Sequence, residues 1–216
     1  MPDQPLDLYG FAPSVYVRSV RLALEEKGLP YALHEVDPFQ DGGPPDWYRA
    51  MQPFGKIPTL RDGAFELFES DAILRYLEAA YPEHPLTPSD PRGVGRMTQA
   101  MRIMDAYGYP AMVWTVFIVH SRGHAQGRLP MEQGLAQSRL VLETLDRLMP
   151  EGAAFLAGDA VTLADTHAMP MMIYFAETGP GRELLAGVPG IEAWLERMRQ
   201  RPSAVATRTV LETADD

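Results

Sequence analysis

A proline-rich stretch divides the chain into two parts with different apolar patterns. Residues 82–91 read PEHPLTPSDP and show no periodicity. Before this stretch, alternating segments are mixed with helical ones, whereas after it the apolar residues repeat only at helical spacing. Proline disfavours helix and strand interiors, so the stretch predicts a connector. We therefore predict two domains, residues 1–82 and 92–216, joined by a linker over residues 83–91.

The first domain combines strand and helix signals. An Asp-Gly pair, Asp62 and Gly63, lies between two short apolar runs and is typical of a β-hairpin. Ser70 is a candidate N-cap for the helix that follows the hairpin. The predicted elements are strand Leu6–Tyr9, helix Val15–Lys27, strand Tyr31–Val36, a helical turn at Trp47–Met51, hairpin strands Lys56–Leu60 and Phe65–Leu67, and a helix from Ser70 to Pro82. This order, βαβ(α)ββα, predicts a thioredoxin-like α/β domain.

The second domain is predicted to be an all-α helical bundle. Its apolar residues recur at the spacing of one helix face, as in Leu135, Val141, Leu142, Leu145 and Leu148, and again in Ile191, Trp194, Leu195 and Met198. The longest apolar run, Ala111–Val119, is about half of the ~20 residues that a membrane-spanning helix needs. We therefore expect no membrane segment.

The amino-acid composition excludes several kinds of chemistry. The chain contains no cysteine, so disulfides, thiolate metal sites and cysteine nucleophiles are impossible, and any sulfur chemistry needs a thiol from a substrate. The net charge of −10 is spread along the chain and disfavours binding to nucleic acids or anionic membranes. The first residues show no secretory signal, so we expect a cytoplasmic protein.

Two neighbouring motifs are the most specific pattern in the chain. Residues 52–60 read QPFGKIPTL, and residues 69–73 read ESDAI. Ser70, at a helix start, offers a hydroxyl and free backbone N–H groups, which suit a carboxylate. Together the motifs resemble those of cytosolic glutathione transferases, and the resemblance extends over nearly the whole chain.

The resemblance implies how glutathione is bound. In that family the proline matching Pro58 is cis and turns the backbone of Ile57 outward to pair with the cysteinyl backbone of glutathione, like an added strand. Taken alone, Pro58 would be read as a trans proline opening an edge strand, because only about one X-Pro bond in twenty is cis. The implied glutathione-binding residues are Phe11, Lys56, Ile57, Pro58, Glu69 and Ser70.

Residues 8–18, LYGFAPSVYVR, resemble the start of the phi-type transferases, in which a serine just before the first helix donates its O–H to the glutathione sulfur. Ser14 occupies that position. A free thiol has a pKa of about 8.5, and both a hydroxyl donor and a helix N-terminus favour the thiolate. Tyr9 is the alternative donor, and Tyr16 is a further one. Arg18 is a weaker candidate that would add positive potential near the thiolate.

In the second domain the resemblance implies a folding motif. Residues 158–165, GDAVTLAD, match the buried capping motif of the family, in which Thr162 caps a core helix and Asp165 returns the bond. Thr166 departs from this pattern, because an apolar residue normally packs there against Val161.

The electrophile is expected to bind between the domains. The family lines that cleft with the regions that contain Phe11, Tyr107, Met112, Trp114 and Phe117, although taken singly each of these residue types is more often part of the core than of a pocket. His120 and His124 have the i, i+4 spacing of a metal pair on a helix, but no third ligand accompanies them. We therefore expect no metal.

The resemblance implies a homodimeric, detoxifying glutathione transferase that uses glutathione as cosubstrate and directs its thiolate at small hydrophobic electrophiles. One alternative is a glutathione-dependent peroxidase, isomerase or lyase reaction at the same site. The isomerase is disfavoured because the zeta type carries a Ser-Ser-Cys core where this chain reads Ser14-Val15-Tyr16. A second alternative is an interaction module that has kept the fold without the chemistry.

Overall fold

The computed structural model describes residues 4–123 and 127–212. The chain forms two compact units, Met1–Leu86 (unit 1) and Thr87–Asp216 (unit 2). The division lies within the proline-rich stretch. His124, one of the two candidate metal ligands, lies outside the described residues.

Unit 1 has the predicted thioredoxin-like order of elements. Its elements are β1 (Leu6–Gly10), α1 (Val15–Lys27), β2 (Tyr31–Glu35), α2 (Asp46–Met51), β3 (Thr59–Asp62), β4 (Phe65–Phe68) and α3 (Ser70–Ala80). The strands form a mixed sheet in the order β2-β1-β3-β4, in which β1 runs parallel to β2 and antiparallel to β3, and β3 runs antiparallel to β4. The fold class predicted for this part of the chain is confirmed.

The two faces of β1 contact different helices. A Cβ atom placed on Gly10 would overlap Cγ2 of Val17, so the Gly10 face of the strand packs directly against α1. Because successive side chains of a strand point to opposite faces, Tyr9 faces the other way. Tyr9 packs there in a cluster with Val36 and with Tyr48 of α2.

The hairpin differs from its prediction, because its first strand spans Thr59–Asp62 rather than Lys56–Leu60. Asp62 pairs with Phe65 in the sheet, so the two loop residues are Gly63 and Ala64 rather than Asp62 and Gly63. Gly63 has φ 59°, a conformation that favours glycine. The carboxylate of Asp62 accepts hydrogen bonds from the hydroxyls of Tyr76 and Tyr81.

A buried ion pair stabilises the C-terminal end of unit 1. The Nζ atom of Lys27, whose side chain is fully buried, lies 2.7 Å from Oε1 of Glu78. Lys27 also donates to the carbonyls of Glu83 and His84, and both carboxylate oxygens of Glu78 accept from the N–H of Leu86. The first residues of the predicted linker are therefore held against unit 1.

The helices and strands assigned within the described residues of unit 2 are all helices, as predicted. A continuous helical stretch comprises α4 (Pro91–Ile103), a π-helical segment (Met104–Phe117) and α5 (Ile118–Arg122). The remaining helices are α6 (Met131–Leu148), α7 (Leu163–Ala176), α8 (Gly179–Ala186), α9 (Pro189–Arg199) and α10 (Pro202–Ala206). Within the described ranges, no helix combines the length and the apolar character needed to cross a membrane.

Helix α7 is the centre of unit 2, because all of its residues are buried. Both halves of the predicted capping box are present at its start, where Oδ2 of Asp165 accepts from the N–H and the hydroxyl of Thr162, each at 2.8 Å. The other carboxylate oxygen accepts from the N–H of Leu156 and from Nε1 of Trp194. Thr166 donates its hydroxyl to the carbonyl of Leu163, which satisfies this polar group inside the core.

Candidate functional site

The predicted glutathione-binding residues of unit 1 meet at one end of the sheet. Tyr9 pairs with Thr59, and Thr59 pairs with Phe68, so these three residues lie side by side on β1, β3 and β4. Strands β1 and β4 leave the sheet just beyond this row, and β3 enters it there. Three adjacent segments therefore meet at this end of the sheet. They carry Phe11 and Ser14, Ile57 and Pro58, and Glu69 and Ser70.

Ser14 is the N-cap of α1. Its backbone is extended, and its Oγ atom accepts a long hydrogen bond, 3.5 Å, from the N–H of Val17. The turn before it is closed by a 2.8 Å bond from the N–H of Ser14 to the carbonyl of Phe11. Because the Oγ atom acts as an acceptor in the capping bond, its own hydrogen remains available to a ligand.

Tyr9 occupies a different environment from Ser14. Its ring is 6% exposed, stacks on His34 at 4.7 Å between ring centroids and lies edge-on to Trp47 at 6.0 Å. The guanidinium of Arg61 lies over the same ring, 5.3 Å from its centroid. Burial raises the pKa of Tyr9, so the neutral phenol is favoured over the phenolate.

The other candidates near Ser14 differ in exposure. Arg18 is 1% exposed, so its side chain is buried and is not a surface charge of α1. Phe11 and Tyr16 are half-buried. A half-buried Phe11 presents part of its ring at the surface, next to the segment that carries Ser14.

The Ile57-Pro58 peptide bond is cis, as the resemblance implies. Among the residues that the structure describes, none forms a hydrogen bond with the N–H or the C=O of Ile57. Both backbone groups of Lys56, by contrast, are hydrogen-bonded. Its N–H donates to Oε1 of Gln52, and its carbonyl accepts from the hydroxyl of Tyr48. Its side chain is exposed. Among the described residues, the N–H and the C=O of Ile57 are thus left available for a ligand.

The start of α3 requires a correction. Ser70 was predicted to be the N-cap, but the helix begins at Ser70, and Glu69 is the N-cap residue. Glu69 has φ 73°, which is rare for a residue with a side chain, and it makes no side-chain capping bond. The first N–H groups of a helix have no intrahelical partners, so they remain available to an anion. The hydroxyl of Ser70 lies at this terminus.

The four residues of unit 2 predicted to contact the electrophile differ in burial. Met112 and Phe117 are core residues, 0% and 5% exposed, and the ring of Phe117 stacks on that of Tyr174 at 4.5 Å. Tyr107 is 55% exposed, and Trp114 is half-buried. Of the four residues that the resemblance implies, two therefore belong to the core and two have exposed surface.

Sequence reasoning missed the cation that accompanies Trp114. The guanidinium of Arg128 lies 4.7 Å from the centroid of the Trp114 ring and 5.7 Å from that of Tyr109. No local pattern links these residues, because Arg128 lies in the loop after α5. Within the described ranges, no group of three or more His, Asp or Glu side chains is placed to hold a metal ion.

The two halves of the chain match two family models. Residues 8–85 match the model of the glutathione S-transferase N-terminal domain. Residues 111–202 match the model of the glutathione S-transferase C-terminal domain.

Plant proteins are among the similar sequences and structures. The chain is 27% identical to glutathione S-transferase F7 of Arabidopsis thaliana over 92% of this chain and 97% of that protein, and 29% identical to glutathione S-transferase 3 of Zea mays over 92% and 91%. The crystal structure of glutathione transferase F2 from Populus trichocarpa aligns with a TM-score of 0.82 at 26% identity, covering 94% of this chain and 97% of that one. The structure of a glutathione S-transferase III in apo form also aligns with a TM-score of 0.82, at 29% identity, and covers 99% and 100% of the two chains.

Proposed function

We propose that this chain, which belongs to the glutathione S-transferase family, binds glutathione on unit 1, ionises its thiol with the help of Ser14 and directs the thiolate at hydrophobic electrophiles, which become joined to the glutathione sulfur. The thiol must come from the substrate because the chain has no cysteine.

The observation that carries this proposal is that three chain segments lie side by side at one end of the sheet. The open backbone groups of Ile57 lie between two helix N-termini, that of α1 at Ser14 and that of α3 at Ser70. Glutathione carries a γ-glutamyl carboxylate at one end and a cysteinyl thiol near its middle. A carboxylate suits the α3 terminus, the cysteinyl backbone suits Ile57, and a thiolate suits the α1 terminus.

The proposed chemistry is nucleophilic transfer. The hydroxyl of Ser14 donates a hydrogen bond to the glutathione sulfur, which stabilises the thiolate relative to the thiol. The thiolate lone pair forms a carbon–sulfur bond while the electrophile releases its leaving group with the bonding electrons, or accepts the pair into a conjugated system. Binding both partners on one protein adds the advantage of proximity.

Unit 2 is proposed to supply contacts for the electrophile. Tyr107 and Trp114 have accessible surface, whereas Met112 and Phe117 belong to the core. Partly exposed aromatic rings suit flat, apolar ligands.

Ser14→Ala is the direct test of the activator. We would titrate glutathione with the protein across pH and follow thiolate absorbance. The native chain is expected to lower the thiol pKa by at least about one unit from ~8.5, and Ser14→Ala to return it, with kcat/KM at neutral pH falling about tenfold for each unit regained. Tyr9→Phe is the matched comparison and should leave the bound thiol pKa unchanged, because Tyr9 packs on the α2 face.

Two results would contradict the assignment. If Tyr9→Phe raised the thiol pKa and Ser14→Ala did not, Tyr9 would be the activator. If products carried no thioether, the reaction would be of the peroxidase, isomerase or lyase type rather than conjugation.

We also propose that the protein is a homodimer with a detoxifying role in the cytoplasm. Strand β4 is an edge of the sheet, and two aromatic pairs flank it, Phe54 with Phe68 and Phe65 with Tyr76. Phe54 is 68% exposed and Phe65 48% exposed. A second copy of the chain would bury these rings and cover the edge.

A further inference from the structure

Tyr48 of α2 makes two polar contacts that packing alone does not require. Its side chain is fully buried, and its hydroxyl donates to the carbonyl of Lys56 at 2.7 Å. The same hydroxyl lies 3.0 Å from Oγ1 of Thr59. Lys56 and Thr59 are the residues immediately before and after the Ile57-Pro58 pair. One buried hydroxyl therefore links both sides of the dipeptide that carries the open backbone groups.

Gln52 completes this attachment. It is 1% exposed, and its Oε1 atom accepts from the N–H of Lys56 at 2.9 Å. The side chains of Tyr48 and Gln52 thus hold both backbone groups of Lys56. The neighbouring N–H and C=O of Ile57 have no partner among the described residues. The attachment restricts the orientation of Ile57 without occupying its hydrogen-bonding groups.

We propose that Tyr48, assisted by Gln52, is a positioning residue for glutathione, which holds the N–H and C=O of Ile57 in the orientation that pairs with the cysteinyl backbone. This inference rests on the proposed function above. The ring of Tyr48 packs in the cluster with Tyr9 and Val36, and a phenylalanine would serve for that packing. The hydroxyl is thus the group that has a separate role.

The chemistry of the hydroxyl agrees with this role. Burial raises the pKa of Tyr48 to about 12, so the hydroxyl stays protonated and donates to Lys56 throughout the neutral and mildly alkaline range. Strand-like pairing needs two hydrogen bonds of good geometry at once, so a loosened Ile57 backbone should bind the cysteinyl group less well. Ser14 lies on another segment, and its effect on the thiol should persist.

Tyr48→Phe tests the proposal with little change of shape. Glutathione affinity, measured by calorimetry, is expected to fall about tenfold, while the thiol pKa in the bound complex stays at the native value. In turnover, the KM for glutathione should rise with little change in kcat. Tyr31→Phe is the matched control, because it removes another tyrosine hydroxyl of unit 1, one on a partly buried side chain that accepts from Nε of Arg21. It should leave the affinity unchanged.

A second ligand separates positioning from general stability. The probe is γ-glutamyl-N-methylcysteinyl-glycine, which lacks the cysteinyl N–H. The native chain should bind this analogue about tenfold more weakly than glutathione, and the difference should shrink in Tyr48→Phe because the two changes remove the same interaction. Gln52→Met should behave in the same direction and provides the test if Tyr48→Phe fails to fold.

Contrary outcomes are distinguishable. A lower melting temperature of Tyr48→Phe with native glutathione affinity would overturn the positioning role and leave the proposed function intact. Equal loss of affinity for glutathione and for the analogue would also overturn it. Failure of the native chain to bind glutathione at all would overturn the proposed function together with this inference.

Discussion

The ion pair of Lys27 and Glu78 shows how much a single side chain contributes to unit 1. The ammonium group of Lys27 has no exposed surface, and Glu78 is its one carboxylate partner among the described ion pairs. Glu78→Gln keeps the shape and can still accept from Leu86, but it leaves a buried charge without a counter-charge. We expect the free energy of unfolding, measured in urea, to fall by about 3 kcal/mol.

The exposed pair of Asp71 and Arg75 provides the control for this prediction. The two side chains are 39% and 45% exposed, and their closest atoms are 3.2 Å apart. Asp71→Asn should lower the free energy of unfolding by less than about 1 kcal/mol, since solvent screens such pairs. Equal losses in the two variants would argue against a special role for the buried pair.

At the scale of elements, the contact of β1 with α1 determines where Ser14 lies. Val17 is fully buried, and it leaves no room for a side chain on Gly10. Gly10→Ala should therefore push α1 away from the sheet and lower the free energy of unfolding by about 1–3 kcal/mol. Because Ser14 caps the same helix, the bound thiol pKa should rise as well.

Gly95→Ala is the matched control in a helix. No atom lies within 4 Å of a Cβ placed on Gly95, which belongs to α4. Alanine there should raise the free energy of unfolding by about 0.5–1 kcal/mol, because glycine is the poorer helix former. A loss in both variants would show that close packing at Gly10 is not the cause of its effect.

At the scale of the whole molecule, the proposed homodimer predicts a mass. Sedimentation equilibrium should give twice the 24.0 kDa of one chain. Phe65→Arg places a charge on the edge strand and should shift the equilibrium toward the monomer. Leu140→Arg, at a side chain of unit 2 that is 63% exposed, should leave the mass unchanged. A monomeric native chain, or equal dissociation of both variants, would contradict an interface at β4.

Local patterns in the sequence were sufficient for most elements of unit 1. Alternation and helical spacing predicted α1 with its observed bounds and the order of the strands, since these periods reflect the geometry of each element alone. The Asp-Gly turn pattern predicted the hairpin but not the position of its loop. The loop is Gly63-Ala64 because Asp62 pairs with Phe65 in the sheet, and the carboxylate of Asp62 accepts from the hydroxyls of Tyr76 and Tyr81, which lie 14 and 19 positions further along the chain.

The sequence by itself determined the thioredoxin-like order of elements, the helical second unit and the motifs that identify the family. The tertiary structure decided which face of β1 each side chain occupies, that Tyr9 packs beneath α2, and that Arg18 is buried. It also brought the hydroxyl of Tyr48 to Lys56 and Thr59, and paired Lys27 with Glu78 across 51 positions. The physical reason is that a local pattern encodes only the period of its own element, whereas strand register and helix packing determine which distant side chains meet.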